Sequence, residues 1–361
     1  MISMDEELAL RILKGPHNQA KDRLSIKKKL TPYYTYSRNV FLPLTHVCRN
    51  ACGYCIFRKN VNQQNNILKK EKVYQMLEKA ELCQCTEALF TFGEKPEVYP
   101  EIERELKEMG YTTIIEYLRD LCEYTVDKTM LFPHSNPGVL TKEDLITLKP
   151  VNASMGLMLE TVSERLTKTE AHMYSPGKHP ALRLKTIEMA GELHIPFTTG
   201  ILVGIGETDR EIYESLQAIR NVQDRYGHIQ EVIIQNFQPK PGTVMQHFNP
   251  VPVLKMAAII VLARHVFPDT PLQVPPNLNR DALELLLQCG ADDLGGVSPV
   301  TPDYVNPKYE WPNICELSLQ LRERLPVYPK FIHRKYLSPS IYEKAVSVTD
   351  EEGYVRRFNE H

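Results

Sequence analysis

The sequence predicts an α/β protein: a (β/α)8 barrel of the TIM-barrel type with a short N-terminal arm and a C-terminal extension. Two observations predict it. From residue 38 onward, short β-rich runs alternate with longer stretches of helical period, the pattern of parallel strands joined by crossover helices. Eight such units fit within about 260 residues, close to the usual size of this barrel. A six-unit open barrel with an added lobe is the alternative.

Composition narrows the class of protein. The 361 residues are 42% hydrophobic and 24% charged, which is typical of a folded globular chain. The 43 Lys and Arg residues nearly balance the 45 Asp and Glu residues, which gives a formal net charge of -2. The chain therefore has no overall positive charge that would attract nucleic acid or an anionic membrane. The longest apolar run, 256–263, is too short to cross a bilayer. Acidic residues stand where a secretory signal would carry basic ones, so we expect a cytoplasmic protein.

Three segments are predicted along the chain. Residues 1–35 form the arm, with a short amphipathic stretch near 8–13 and a basic run at 21–29. Residues 36–300 form the barrel. Residues 301–361 form an extension over or beside the barrel, with a helix near 314–325.

The eight predicted strands share β-rich composition and lie at 40–44, 88–92, 129–133, 153–159, 197–203, 231–237, 272–274 and 293–297. Two intervening stretches place apolar residues on one helical face, which should pack on the sheet. These residues are Val73, Met76, Leu77 and Ala80, then Ile212, Leu216, Ile219 and Val222. Thr208 with Glu211, and Thr141 with Asp144, have the form of capping boxes at helix starts.

Three cysteines follow the first predicted strand: Cys48, Cys52 and Cys55, with the spacing C-x3-C-x2-C. A structural zinc site needs four ligands, commonly two C-x2-C pairs, and no second such pair exists, although a remote histidine could complete one. Three thiolates suit an iron–sulfur cube with one iron left open, whereas electron-transfer clusters normally have four cysteine ligands. The missing fourth thiolate therefore favours a reaction at the open iron.

Polar residues also follow other predicted strands, at the end where a barrel carries its site. They are His134, Ser135, Asn136, Gln235, Asn236, Asn277, Asp292, Asp293 and Ser298. Buried polar groups need partners, so as a ring they suggest a substrate with many hydroxyl and amide groups. Each one alone is more often a loop cap.

The cysteine loop resembles the signature of the radical S-adenosylmethionine (SAM) enzymes, C-x3-C-x-aromatic-C, with Tyr54 at the aromatic position. The resemblance implies that Cys48, Cys52 and Cys55 ligate a [4Fe–4S] cluster whose open iron takes the amino and carboxylate groups of SAM. Reduction would then yield a 5′-deoxyadenosyl radical that takes a hydrogen atom from substrate. The cofactor carries this chemistry and the protein supplies placement.

Further positions match the superfamily in part. The resemblance implies that Gly93 and Glu94 bind the methionine amino group, with Phe92 in place of the first glycine of that motif. Glu160 would reach a ribose hydroxyl, or be a surface carboxylate. Gly204 would lie beside adenine, within a stretch that also contains Gly200, Leu202 and Glu207. Glu207 could equally cap a helix. The stretch breaks G-x-G-x-x-G, so a phosphate ligand is not expected.

A closer resemblance covers about residues 35–315. It is to the CofG subunit of the deazaflavin-forming synthases of coenzyme F420 biosynthesis, and it is carried by five longer strings, at 48–55, 88–97, 133–138, 175–178 and 295–303. The resemblance implies hydrogen abstraction from an adduct, made by the sister enzyme CofH from tyrosine and ribitylaminouracil, then ring closure and ammonia release. His134 and Asn136 are candidate uracil contacts, and a ferredoxin or flavodoxin is the expected low-potential electron donor. The alternatives are a radical SAM enzyme of the biotin synthase or hydrogenase-maturase type, or a non-catalytic iron–sulfur carrier.

Overall fold

The computed structural model describes residues 6–14 and 32–356. Its core is a closed barrel of eight parallel strands in which β1 pairs with both β2 and β8. The strands are β1 Tyr34–Leu42, β2 Glu87–Thr91, β3 Phe132–Asn136, β4 Ser154–Gly156, β5 Phe197–Val203, β6 Ile229–Asn236, β7 Leu272–Gln273 and β8 Asp293–Val297. The predicted (β/α)8 barrel is confirmed, and the six-unit alternative is wrong.

Helices surround this barrel. They are α1 Glu6–Lys14, α2 Lys70–Leu82, α3 Pro100–Glu108, α4 Ile114–Lys128, α5 Lys142–Leu148, α6 Pro180–Glu192, α7 Asp209–Tyr226, α8 Val253–Val266, α9 Leu283–Gln288 and α10 Pro339–Val348. The two predicted apolar faces are confirmed: α2 and α7 bury them against the core, with Met76 only partly buried. No described helix is long and apolar enough to cross a membrane.

Both predicted capping boxes are confirmed. The hydroxyl of Thr208 accepts from the Glu211 amide at 3.2 Å, and that of Thr141 accepts from the Asp144 amide at 3.1 Å. A third box, Thr113 with Glu116, starts α4 and was not predicted. These local contacts set where the crossover helices begin, because each box satisfies backbone donors that the first helical turn leaves free.

Some strand bounds match the prediction and others do not. Strands β5 and β8 occupy the predicted residues, whereas β1 begins at Tyr34 and β3 runs to Asn136 instead of ending at residue 133. His134 and Ser135 have little intrinsic preference for a strand, but β2 and β4 pair with them from both sides. Tertiary pairing therefore overrides local propensity at β3.

The N-terminal stretch predicted to be amphipathic is α1, which buries Ala9, Ile12 and Leu13 and packs on α8 and α7. The basic run at 21–29 lies outside the described residues. The division of the chain at residues 35 and 300 stays a prediction.

The helix predicted at 314–325 is wrong. Ile314–Glu316 is a single 3₁₀ turn, and Leu321–Glu323 forms a ninth strand, β9, parallel to the start of β1. The physical reason is that the first residues of β1 have an unpaired edge. Strand β2 pairs with β1 only from Asn39 onward, which leaves the backbone groups of residues 34–36 without a partner on that side. Strand β9 pairs with these residues and satisfies their backbone groups. Residues 303–311 contact the barrel mouth, and residues 324–328 lie at its amino-terminal end.

Candidate active site

A cavity of about 400 Å³ runs through the barrel and is lined by residues from all eight strands. Barrels of this type usually fill their interior with layers of branched aliphatic side chains. Here many lining side chains are polar, among them Asn39, Glu87, His134, Glu231 and Gln273. The interior is therefore built to receive a ligand rather than to pack as a core.

The three predicted cluster ligands, Cys48, Cys52 and Cys55, all carry free thiols and line this cavity. The backbone amides of Asn50 and Glu94 donate to Cys48 Sγ, at 3.4 and 3.2 Å. The Ser175 hydroxyl donates to Cys52 Sγ at 3.2 Å. Donors aimed at sulfur favour the thiolate that ligates a metal.

The chemistry of this donor set fits a cluster better than one ion. Burial raises the pKa of the Cys48 thiol, and it raises that of Cys52 to about 11 against the opposing Lys178. A bound metal would therefore be needed to hold both as thiolates at neutral pH. Within 6–14 and 32–356, no three His, Cys, Asp or Glu side chains surround one metal position. A structural zinc ion would need a fourth ligand beside the three cysteines, whereas a cube binds each thiolate through a different iron and needs only these three.

Backbone pairing fixes the cysteine loop. The amides of Ala51 and Gly53 donate to the carbonyls of Tyr174 and Ala171, at 2.9 and 3.0 Å. A Cβ at Gly53 would lie 2.1 Å from the Glu170 carbonyl oxygen, so only glycine fits. The Tyr54 hydroxyl pairs with His172 Nε2 at 3.0 Å, and its ring packs against a small apolar cluster beside the loop. The aromatic residue thus anchors the loop to the barrel.

Gly93 and Glu94 directly contact that loop after β2. A Cβ at Gly93 would lie 1.9 Å from the Val47 carbonyl oxygen. The Glu94 carboxylate is 4% exposed and accepts from Arg49 Nε at 2.7 Å and from the Val139 amide at 3.0 Å. Burial alone would raise its pKa, but Arg183, the Val139 amide and Arg49 together hold the pKa of Glu94 below its usual value. The carboxylate is therefore a fixed anion beside the cysteines.

Glu160 also lines the cavity and is 7% exposed, so the surface-carboxylate alternative is wrong. Its φ is 66°, a left-handed conformation that a non-glycine residue adopts only when its surroundings impose it. Its carboxylate contacts Lys178 Nζ and lies 3.8 Å from Arg183. Although burial raises the pKa of Glu160, these two cations lower it overall.

Arg183, on α6, is the principal site residue that sequence reasoning missed. Its guanidinium lies 3.7 Å from Glu94 and 3.8 Å from Glu160, and it donates to the Gly177 carbonyl at 2.9 Å. It therefore couples the two carboxylates. The sequence of α6 does not distinguish Arg183 from the other polar residues of a helix that covers the barrel. Lys178 is different, because it lies in the family-like string at 175–178, but that string carried no assigned role.

His134 and Asn136 both line the cavity, as expected of residues at a strand end. His134 Nδ1 lies 2.6 Å from Ser154 Oγ, and its Nε2 lies 3.1 Å from Asn136 Oδ1. Burial lowers the pKa of His134 to about 4, so the ring is neutral at pH 7 and acts as a hydrogen-bonding group.

The other predicted positions separate into two groups. Gln235, Asn236 and Asn277 line the cavity. The rest do not line it and make structural contacts: Ser135 with Asn152, Asp292 with Arg264, Asp293 with the cavity residue Arg324, Ser298 with Thr301, and Gly204 with Glu207. The Glu207 carboxylate accepts from the Gly204 and Ile205 amides, so it stabilises the turn that leads into α7.

The cavity floor comprises Asn39, Glu87, Glu231, Gln273 and Arg324, none of which was predicted. Arg324 comes from the C-terminal extension and pairs with Asp293 at 2.7 Å and Glu231 at 3.0 Å. Glu87 begins β2, Asn39 pairs with it, and Glu231 lies near the start of β6, so the floor belongs to the amino-terminal part of the barrel. Stability rather than a site is usual there.

Comparison with known proteins places the chain among enzymes. Residues 42–219 match the model of the radical SAM superfamily. The 7,8-didemethyl-8-hydroxy-5-deazariboflavin synthase of Methanocaldococcus jannaschii is 52% identical, over 88% of this chain and 89% of that protein. The synthase of the same name from Methanopyrus kandleri is 49% identical, over 89% and 99%.

Two solved structures share the fold. The FeFe-hydrogenase maturase HydG of Carboxydothermus hydrogenoformans has a TM-score of 0.64 at 18% identity, covering 86% of this chain and 69% of that one. Methylornithine synthase (PylB) has a TM-score of 0.59 at 18% identity, covering 94% and 99%. At these identities the likeness supports the architecture alone.

Proposed function

The chain belongs to the radical SAM superfamily and, within it, to the 7,8-didemethyl-8-hydroxy-5-deazariboflavin synthase family, and from that membership we propose that it forms this deazaflavin in coenzyme F420 biosynthesis. The observation that carries the proposal is three free thiols at one end of a barrel cavity that contains many polar side chains, in a chain half identical to such synthases over most of its length.

The proposed substrate is the adduct that CofH makes from tyrosine and ribitylaminouracil. Ring closure with loss of ammonia makes the enzyme a carbon–nitrogen lyase. A pyrimidine, a phenol and a ribityl chain together require many hydrogen-bond partners, and the polar lining supports a ligand of that kind. His134 and Asn136 would contact the uracil. The proposal includes a cytoplasmic location and a ferredoxin or flavodoxin as electron donor.

Cys48, Cys52 and Cys55 would hold a [4Fe–4S] cluster. When bound and reduced, the cluster with SAM supplies a radical able to take hydrogen from carbon. The chain itself binds and orients: the donors to Cys48 and Cys52 stabilise thiolates, and Tyr54 anchors the loop. Burial of the site excludes water from reactive species.

Two carboxylates would position SAM. Glu94, held as an anion beside the cysteines, would accept from the methionine ammonium next to the Gly93 backbone. Glu160 would accept from the ribose hydroxyls, and Arg183 would fix the spacing of the two carboxylates. Gly204, which does not itself line the cavity, would act on adenine binding through the turn after β5 that its φ of 96° shapes.

The test is anaerobic reconstitution with iron and sulfide, then incubation with SAM, a reductant, tyrosine, ribitylaminouracil and CofH. Fluorescent deazaflavin, with more 5′-deoxyadenosine than CofH releases alone, is the expected result. The same excess without deazaflavin would favour another substrate. Absence of both the deazaflavin and the excess would favour a non-catalytic iron–sulfur carrier.

A further inference from the structure

The cavity floor holds a polar atom that the protein leaves unsatisfied. Asn39 is 1% exposed and lines the cavity, yet its Oδ1 has no hydrogen-bond partner in the part of the chain that the structure describes. Gly296 makes room for this amide, since a Cβ there would lie 2.2 Å from Asn39 Nδ2. A buried acceptor without a donor is costly, so a ligand that donates hydrogen bonds is expected to reach it.

The charges of the floor exclude an anion. Among the described floor residues Arg324 is the only cation, and its Nε and both Nη groups are already engaged by Asp293, Glu231 and the Leu325 carbonyl. A phosphate or carboxylate would meet Glu87 and Glu231 with no free cation to offset it. Burial raises the pKa of Glu87, while the Ser37 hydroxyl, which donates to its Oε2, and the Arg324 charge oppose that rise. Neutral hydroxyl groups match this combination.

The floor and the cysteine loop lie far apart along the barrel axis. Glu87 is the first residue of β2 and Thr91 the last, so at the usual rise per residue the floor lies roughly 13 Å below the strand's carboxyl end. Asn39 stands opposite Glu87 across the β1–β2 pair, at the same level. A ligand that contacts both the loop region and the floor must be elongated along the barrel axis.

Resting on the function proposed above, we propose that the floor is the subsite for the substrate's neutral polyol chain. The ribityl group lies at the amino-terminal end of the barrel, with Asn39 and Gln273 as its hydrogen-bonding partners, and the rings lie nearer the cysteine loop. A chain that ends in a phosphate ester is rejected by the same floor. The C-terminal extension thereby contributes to specificity through Arg324, which holds Glu231 in place.

Asn277 is the counterpart of Asn39 if the polyol chain points toward the cavity mouth instead of the floor. It also lines the cavity, is 3% exposed and has an Oδ1 without a partner among the described residues. It lies after β7, near the mouth, where its Nδ2 donates to Asp303 Oδ2 at 2.9 Å. If the polyol pointed toward the mouth, Asn277 rather than Asn39 would bind it.

The test measures binding, independently of turnover, in the reconstituted holoenzyme with SAM. The probes are the fluorescent deazaflavin with its ribityl chain, an N10-methyl analogue without the chain, and the chain's phosphate ester. The variants are Asn39→Leu and Asn277→Leu, with Gln273→Met as a second floor variant should Asn39→Leu fail to fold. Wild type is expected to prefer the ribityl probe over the other two. Asn39→Leu should reduce that preference about five- to tenfold, the effect of one hydrogen bond, while Asn277→Leu leaves it unchanged.

Three results would overturn the assignment: a wild type that does not prefer the ribityl probe, a preference lost in Asn277→Leu but kept in the floor variants, or tightest binding of the phosphate ester. Failure of the proposed function would show differently. It would leave the coupled assay without deazaflavin, whatever the binding preference of the floor variants.

Discussion

His228 should make the protein less stable in mild acid. The residue is fully buried just before β6, and its Nε2 lies 2.9 Å from the Ile187 carbonyl oxygen, so Nε2 carries the proton. Its Nδ1 has no partner among the described residues, and a second proton there would be buried without an acceptor. Burial accordingly lowers the pKa of His228 to about 4, against 6.5 for the exposed side chain.

The sign follows from proton binding in the two states. Below pH 6.5 the unfolded chain takes up a proton on this residue, while the folded chain does not until about pH 4. Stability present above pH 6.5 is therefore lost as the pH falls toward 4. Linkage with these two values gives a loss of about 2 kcal/mol between pH 7.5 and pH 5.0 from this residue alone.

Urea unfolding of the wild type and of His228→Gln at these two pH values measures the effect. The wild type should lose about 2 kcal/mol more free energy of unfolding than the variant between pH 7.5 and pH 5.0. Comparing the two pH-dependent losses cancels the contribution of every other titrating group. Equal losses in the two proteins would refute the assignment of a buried neutral imidazole.

Three further predictions concern the site. Cys52→Ala should lose both the cluster absorbance and product formation, whereas Cys315→Ala, an exposed cysteine, should keep both; a full [4Fe–4S] spectrum in Cys52→Ala would contradict the ligand assignment. Gly177→Ala places a Cβ 1.8 Å from Glu94 Oε1 and should weaken SAM binding at least about tenfold, as measured by equilibrium dialysis. Gly110→Ala, at an exposed glycine whose φ of 87° strains a substitution without any contact within 4 Å, controls for a general loss of stability, and an unchanged SAM affinity in Gly177→Ala would count against Glu94 as a SAM ligand. His134→Gln should weaken substrate binding about five- to tenfold, because the uracil would take the place of Asn136 Oδ1 at His134 Nε2, and unchanged affinity and turnover would remove His134 from the site.

Several features could be predicted because their causes are local in sequence. The cysteine spacing, the Gly93–Glu94 turn and the two capping boxes each depend on residues within one loop or one helical turn. The alternation of β-rich runs with helical stretches predicted the barrel, since parallel strands require crossovers of that length. Strand β5 was placed correctly because most of its residues favour a strand, whereas β8 contains Asp293 and two glycines and was placed by its position in the repeating pattern.

Only the tertiary structure decided the rest. Arg324 and Glu231 are 93 residues apart and meet because β9 pairs with an open edge of β1 and carries the chain beneath the barrel. Arg183 couples Glu94 to Glu160 only once α6 has packed on the sheet. Ion pairs and unsatisfied buried atoms such as Asn39 Oδ1 depend on distances across the fold, which no local pattern of residue types encodes.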